Sequence, residues 1–210
     1  MECQIPGRGE VVMAKKRRMG AEDSEVRAKL IKAAAEVLKT EGYASFSARK
    51  VGARAGLTPQ LLYYYFKTMD DLLIAVIREF NEIRHVRLQE ALESADPLRA
   101  IWELNIDNDL ARLTAELTSI AARHEKARLE VIDSADQLRK MQIEAVSKLL
   151  PREKTSEDQV SASEALMVGV ALARLLVTED ALGFSAGHEE VLNFVERMLA
   201  RYRQDETGKS

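Results

Sequence analysis

The sequence predicts an all-α protein: an N-terminal three-helix head of helix-turn-helix type plus a larger C-terminal helical body, about nine helices in all. Three observations carry this expectation. Residues 45–69 hold two helix starts around a glycine stop: Ser47, then Gly56, then Thr58-Pro59. Elsewhere apolar residues recur three and four apart over long stretches, the spacing of one helix face. Residues 161–178 are apolar nearly all round, as expected of a helix enclosed by others. The expected divisions are an arm over residues 1–22, the head over 23–68, the body over 69–204 and a tail over 205–210.

Composition bounds the possibilities. The 210 residues, 46% hydrophobic and 31% charged, suit one large globular domain or two small ones sharing a core. No stretch approaches the roughly 20 apolar residues of a membrane span. No apolar signal core stands near the N-terminus, so a cytoplasmic location is expected. The single cysteine, Cys3, cannot form an internal disulfide, and its place in an expected mobile tail argues against a catalytic thiol. The net charge of −3 hides an asymmetry: residues 1–67 carry 13 Lys+Arg against 7 Asp+Glu, and residues 68–210 carry 18 against 27. A basic end on an acidic body suits a phosphate-binding head joined to a regulatory domain.

Taken in order, residues 1–22 read as a flexible arm with Pro6, Gly7, Gly9 and Gly20, a basic run Lys15-Lys16-Arg17-Arg18, and no helical periodicity. Such an arm either lies along a nucleic-acid backbone or serves as a solubilising tail. Met13 is an alternative start to Met1. Helix 1, over residues 24–41, carries the stripe Val26, Leu30, Ala33, Ala34, Val37 and Leu38, and Gly42 ends it. Ser47 caps helix 2, whose Val51 and Ala55 share a face, and Gly56 supplies the left-handed stop. Thr58 caps helix 3, with Pro59 at its first position, where the missing N–H costs nothing.

Helix 3 divides by face. Leu62 and Phe66 point to one side, while Gln60, Leu61, Tyr64 and Lys67 fall away from that stripe. The second set has the chemistry of a DNA-reading surface: Gln pairs with adenine, Leu packs on a thymine methyl, and Tyr and Lys reach phosphates. The caps at Ser47 and Thr58 present hydroxyls and helix N-termini to phosphate. Arg49, Pro59 and Tyr63 complete the candidate DNA-binding set. The alternative is a helical hairpin with a half-exposed aromatic cluster.

Over residues 24–90 the chain resembles the TetR-like (tetracycline-repressor-like) bacterial transcription regulators. The matching residues are Gly42-Tyr43, Phe46-Ser47, Val51, Ala55-Gly56-Leu57-Thr58, Leu62-Tyr63-Tyr64-Tyr65-Phe66-Lys67 and Asp71-Leu72-Leu73. The resemblance implies a one-component regulator, most often a repressor, that binds double-stranded DNA as a homodimer and responds to a small-molecule effector. One departure is Met69, where the family usually carries a lysine that touches phosphate. Lys67, two residues earlier, can take that part.

Thr68-Met-Asp-Asp71 is a capping-box pattern opening helix 4, which runs to about Leu92 and links the head to the body. Pro97 starts helix 5, over residues 97–106, with Leu98, Ile101, Trp102 and then Asn105 along one face. Helix 6, over 108–123, is expected to bury Leu110, Leu113, Leu117 and Ile120. Helix 7, over 125–150, is expected to place Leu129, Ile132, Ile143, Val146 and Leu150 in register with Asp136 and Arg139. A candidate effector pocket gathers Trp102, Asn105, Thr114, Leu117, Asp136, Arg139, Met141 and Met167, mostly apolar with a few placed polar groups, and suggests an apolar or amphipathic ligand. Each of its polar residues can equally be a boundary residue or half of a solvated ion pair.

Residues 151–159 read as a polar loop. Helix 8, over 161–178, carries the small residues Ala165, Gly169 and Ala173 at steps of four, on which another helix can approach closely. Helix 9 follows the turn at 183–187 with Val191, Phe194, Val195, Met198, Leu199 and Tyr202. This is more apolar surface than one body needs, so a two-fold interface is expected, formed by Ala165, Gly169, Ala173, Leu176, Phe194, Val195, Met198 and Tyr202. The family resemblance implies the same, a four-helix dimer bundle.

Enzyme chemistry is not evident. His85, His124 and His188 lie on separate segments, cysteine pairs and a phosphate-binding glycine loop are lacking, and no nucleophile elbow appears. No cofactor or metal is expected. A helical hydrolase and a protein-binding adaptor are the competing classes.

Overall fold

The computed structural model describes the backbone of residues 8–149 and 160–207, and the side chains of residues 25–149 and 160–201. The loop expected over 151–159, Cys3 and the side chain of Tyr202 lie outside them. The regular structure of the described residues is helical, in the order α1 (Arg8–Glu41), a 3-10 turn (Tyr43–Ser45), α2 (Ala48–Ala55), α3 (Pro59–Tyr65), α4 (Met69–Leu92), α5 (Pro97–Ile106), α6 (Asn108–Ala121), α7 (Glu125–Leu149), α8 (Ala162–Ala181) and α9 (His188–Thr207). The chain divides into two compact units, Met1–Val76 and Ile77–Ser210, with the boundary inside α4.

The first unit packs α1 on α2 and α2 on α3. Leu30, Ala34, Val37 and Leu38 of α1, Val51 of α2, Leu62 of α3 and Leu72 and Leu73 of α4 are all essentially sealed from solvent. One difference from expectation concerns the start of α1, which begins at Arg8 rather than near residue 24. The reason is intrinsic propensity: Met13 to Met19 are alanine, methionine, lysine and arginine, all strong helix formers, and a single Gly20 costs only about 1 kcal/mol.

Local chemistry starts the later helices. Thr68 and Asp71 exchange N–H to side-chain oxygen bonds of 3.1 Å each, a reciprocal capping box at the head of α4. Asp96 caps α5 through the Arg99 N–H at 3.2 Å, and Asp107 caps α6 through the Leu110 N–H at 2.9 Å. Ser161 and Glu164 form a second box at α8, with bonds of 3.2 and 2.7 Å. The second unit joins α5 to α8, α6 to α7 and α7 to α8. Its core has two clusters: Leu88, Ile101, Leu138, Val146, Leu166 and Val170, and Trp102, Ala173, Leu176 and Val195. Arg78 grips Glu130 through its Nε at 3.1 Å, tying α4 to α7, and Arg99 grips Glu196 at 2.8 and 2.6 Å, tying α5 to α9.

Two expected faces differ. Helix α7 buries Ala127, Ser134, Leu138, Gln142 and Val146. Leu129 and Ile132, expected inside, are 59% and 53% exposed. Two apolar rows wind round this helix, and the one holding Leu138 and Val146 meets α8. Helix α8 buries only Leu166, Val170, Ala173, Leu176 and Val177 within the chain, and leaves Met167, Val168 and Leu175 half exposed.

Leu88, fully buried in the first core cluster, is the test of this packing. Leu88→Ala should cost about 2–5 kcal/mol. Thermal unfolding should show the drop, at roughly 2–4 °C per kcal/mol for a chain of this size.

Candidate nucleic-acid interface and ligand cavity

The turn between α2 and α3 is set by a close backbone approach. The Leu57 N–H donates to the Gly52 carbonyl at 2.8 Å. A Cβ built on Gly52 would stand 2.8 Å from the Leu57 carbonyl oxygen, nearer than any real contact. Only glycine lets the turn fold back on the helix there. Gly56 takes the left-handed conformation, φ 66°, that closes α2. The sequence reading used Gly56 and missed Gly52; the available signal was a glycine inside a helix, one turn before its stop.

On this frame the Ser47 Oγ accepts from the Lys50 N–H at 3.4 Å and the Thr58 Oγ1 from the Leu61 N–H at 3.3 Å. Each hydroxyl used as an acceptor keeps its own O–H to donate. Leu62 and Phe66 are buried, and the Arg27 guanidinium lies 5.2 Å over the Phe66 ring. The opposite face is open. Gln60 and Lys67 are exposed, Leu61 and Pro59 half-buried, and Tyr63 and Tyr64 are 50% and 72% exposed. Tyr64 meets Tyr65 edge-on at 5.0 Å between centroids, which limits how far its ring can swing. Ser47, Arg49 and Thr58 are exposed beside it.

Charge on the head is partly committed. The Glu41 carboxylate accepts from Lys50 Nζ and from Arg54 Nη2, the latter at 2.8 Å, tying the end of α1 to α2. The hydrogen bond from Lys50 is the main reason its carboxyl is held below the ordinary 4.5. A depressed folded-state value means that this tie supports the fold at neutral pH and is lost as pH falls below 4.5. Arg49 and Lys67 have no such tie among the described residues and are available to phosphate oxygens.

The second unit holds two hollows. One is an apolar groove of about 270 Å³ along α5, α8 and α9, lined by Trp102, Ala165, Val168, Gly169, Phe194 and Met198 among others. The other is a cavity of about 450 Å³ whose apolar wall includes Leu88, Leu104, Leu110, Leu138 and Val177. Its polar wall is Arg84, Asn105, Arg112, Thr114, Thr118, Gln142, Arg174 and Thr178. Asn105 donates to the Ile101 carbonyl and Thr114 to the Leu110 carbonyl, both at 2.7 Å, so Thr114 faces the cavity with acceptor capacity only.

The candidate pocket residues therefore separate. Asn105 and Thr114 line the cavity, and Leu117 is buried beside neither hollow. Trp102 faces the groove instead, and Met141 packs on the first core cluster. Asp136 stands on the outer face of α7, paired with Lys140 at 2.6 Å, so its expected inward position is corrected. Arg139 contacts the sulfur of Met167, which is half exposed. Sequence reasoning missed Arg84, Arg174 and Gln142, which a helical stripe cannot reveal because three separate helices deliver them. Of the expected interface residues, Ala165, Gly169, Phe194 and Met198 line the groove and stay accessible. Ala173, Leu176 and Val195 are instead buried with Trp102 in their own chain.

A capped two-helix frame presenting polar and aromatic side chains from one face is a helix-turn-helix, the frame that many DNA-binding proteins set in the major groove. Residues 30–76 match the family model for bacterial regulatory proteins, tetR family. Solved structures share the fold. A candidate TetR-family transcriptional regulator of Rhodococcus sp. superposes with a TM-score of 0.67 at 19% identity, covering 83% of this chain and 99% of that one. A candidate transcriptional regulator of Saccharomonospora viridis, in complex with choline, gives 0.68 at 18%, covering 82% and 96%. The multidrug binding protein EbrR, complexed with imidazole, gives 0.52 at 25%, covering 74% and 82%. No functionally curated protein matches the chain. No described helix is long and apolar enough to cross a membrane.

Gly52→Ala should lower the melting temperature, by about 1–3 kcal/mol of stability if the turn can adjust at all. Circular dichroism on the purified variant reads it. Gly169→Ala is the control, because a Cβ there meets nothing within 4 Å.

Proposed function

We propose that the protein is a homodimeric repressor that holds a roughly palindromic operator and lets go when a small molecule fills the body. The observation that carries the reading is the open face of α3, where Gln60, Tyr63, Tyr64 and Lys67 stand together on a frame fixed by two caps. Gln60 and Leu61 read base edges, while Lys67, Arg49, Tyr63, Tyr64 and the Ser47 and Thr58 hydroxyls hold phosphates. Pro59 starts the helix at the groove. Each protomer places α3 in one half-site, and the dimer sets the spacing.

The groove along α8 and α9 supports the dimer. Val168, Leu175 and Phe194 stay exposed on a helix pair whose other sides already form a core, an unsuitable surface to leave in water. Ala165 and Gly169 permit close approach there. The cavity is the natural place for the effector, within the size of small-molecule pockets. Helix α4 has residues in both units, and its Arg84 and Leu88 line the cavity. A ligand favouring one placement of α4 shifts operator affinity only by its differential affinity for the two conformers, typically about 1–3 kcal/mol.

Selection from a random duplex library at stated salt should return a palindrome, and a library that enriches nothing would reject the reading. On the selected duplex, Lys67→Ala and Tyr64→Ala should weaken binding to all sequences alike. Gln60→Ala should relax choice at one base pair by roughly 1–3 kcal/mol. In sedimentation, Gly169→Leu should shift the dimer towards monomer, since a Cβ there meets nothing within 4 Å in the single chain and a larger side chain would obstruct a close partner helix.

A further inference from the structure

The cavity of the second unit is cationic without a counter-charge. Arg84 from α4 and Arg174 from α8 both line it, and no aspartate or glutamate does. Neither arginine has a carboxylate partner among the described residues. Arg84 is half-buried with its guanidinium 5.7 Å from the centre of the Phe80 ring, so one face of the cation already rests on an aromatic surface. Burial, and then the like charges of Arg174 and Arg139, push Arg84 below the usual arginine value. Even so arginine stays protonated at any working pH, so the positive charge persists and is not neutralised by losing a proton. Arg174 is exposed at the rim and Arg84 half-buried behind it, and a part-buried cation facing other cations is costly unless an anion joins it. A third arginine, Arg112 of α6, adds to the positive wall, and the remaining polar groups, Asn105, Thr114, Thr118, Gln142 and Thr178, are uncharged.

We propose that the effector is an organic carboxylate with an apolar body, its carboxylate set between Arg84 and Arg174 and its hydrocarbon part against Leu88, Leu138 and Val177. The inference rests on reading this body as the ligand-binding half of a regulator. The guanidinium fork suits a carboxylate, which accepts two parallel N–H bonds from each arginine it meets. A cationic ligand is disfavoured by the same two residues, and a neutral one leaves them unpaired. Because Arg84 and Arg174 belong to different helices, an anion between them also replaces a repulsion across α4 and α8 with a clamp.

The experiment uses the full-length protein without DNA, so that its outcome does not depend on operator binding. Octanoate, octanol and octyltrimethylammonium are compared by calorimetric titration and by melting shift. Octanoate should bind and raise the melting temperature, and the other two should bind at least tenfold more weakly. Arg84→Gln and Arg174→Gln should each lower octanoate affinity about tenfold to a hundredfold, the loss of a charged hydrogen bond. Arg84→Gln should also raise the melting temperature of the ligand-free protein, by about 2 °C or more, because it removes an unpaired cation. A merely structural arginine would lower it. The proposal fails if octyltrimethylammonium or octanol binds as tightly as octanoate, if octanoate does not bind, or if either variant binds it unchanged. Loss of operator selection with octanoate binding intact would instead count against the regulator reading alone.

Discussion

The 2.8 Å approach between the Gly52 and Leu57 backbones is the constraint on which the head depends. Helix α3 has seven residues, far fewer than the 12 to 15 or so that make an isolated helix even marginal in water. Its direction must come from its surroundings. The fold-back at Gly52 aims it, Gly56 ends the helix before it, Thr58 and Pro59 start it, and Leu62 and Phe66 anchor its inner side. With the inner side fixed by burial, the outer side is fixed by geometry, and Gln60, Tyr64 and Lys67 follow. The exposed face is thus a product of packing behind it.

The body meets a different demand. Helix α8 serves a core on one side, through Val170, Ala173 and Leu176, and an open apolar groove on the other, through Val168 and Gly169. Helix α5 likewise sends Trp102 to the groove and shares Asn105 between groove and cavity. Two hollows of different character therefore adjoin at Asn105. The groove is almost wholly apolar and wants another hydrophobic surface. The cavity gathers arginines and wants charge.

How much of this could be read from residues alone follows from how local each cause is. Caps act across three residues, so Ser47, Thr58 and Thr68 could be placed from sequence, and so could the turn at Gly56. The face of α3 was legible because Leu62 and Phe66 leave only one way to turn it. The face of α7 was not, since Leu129 and Ile132 form an apolar row as convincing as Leu138 and Val146, and only the position of α8 decides between them. The same limit hid Arg84 and Arg174, which are ordinary solvent-facing residues on any helical wheel. Asp136 erred in the other direction: an acid in line with apolar residues turned out to pair with Lys140 at the surface. The early start of α1 shows that glycines and a basic run do not outweigh an otherwise favourable helical composition.

The chain contains one tryptophan, and Trp102 sits between α5, α8 and α9 with 8% exposure. Its indole is half of a natural optical label. One side is held in the second core cluster beside Ala173 and Leu176, and the other borders the groove one turn from Asn105, where the cavity begins. Emission from this single fluorophore therefore reports the wetness of the groove in the native chain, with no dye attached. The five tyrosines lie elsewhere, three of them in a row on the head, so excitation at the red edge of the indole band separates body from head.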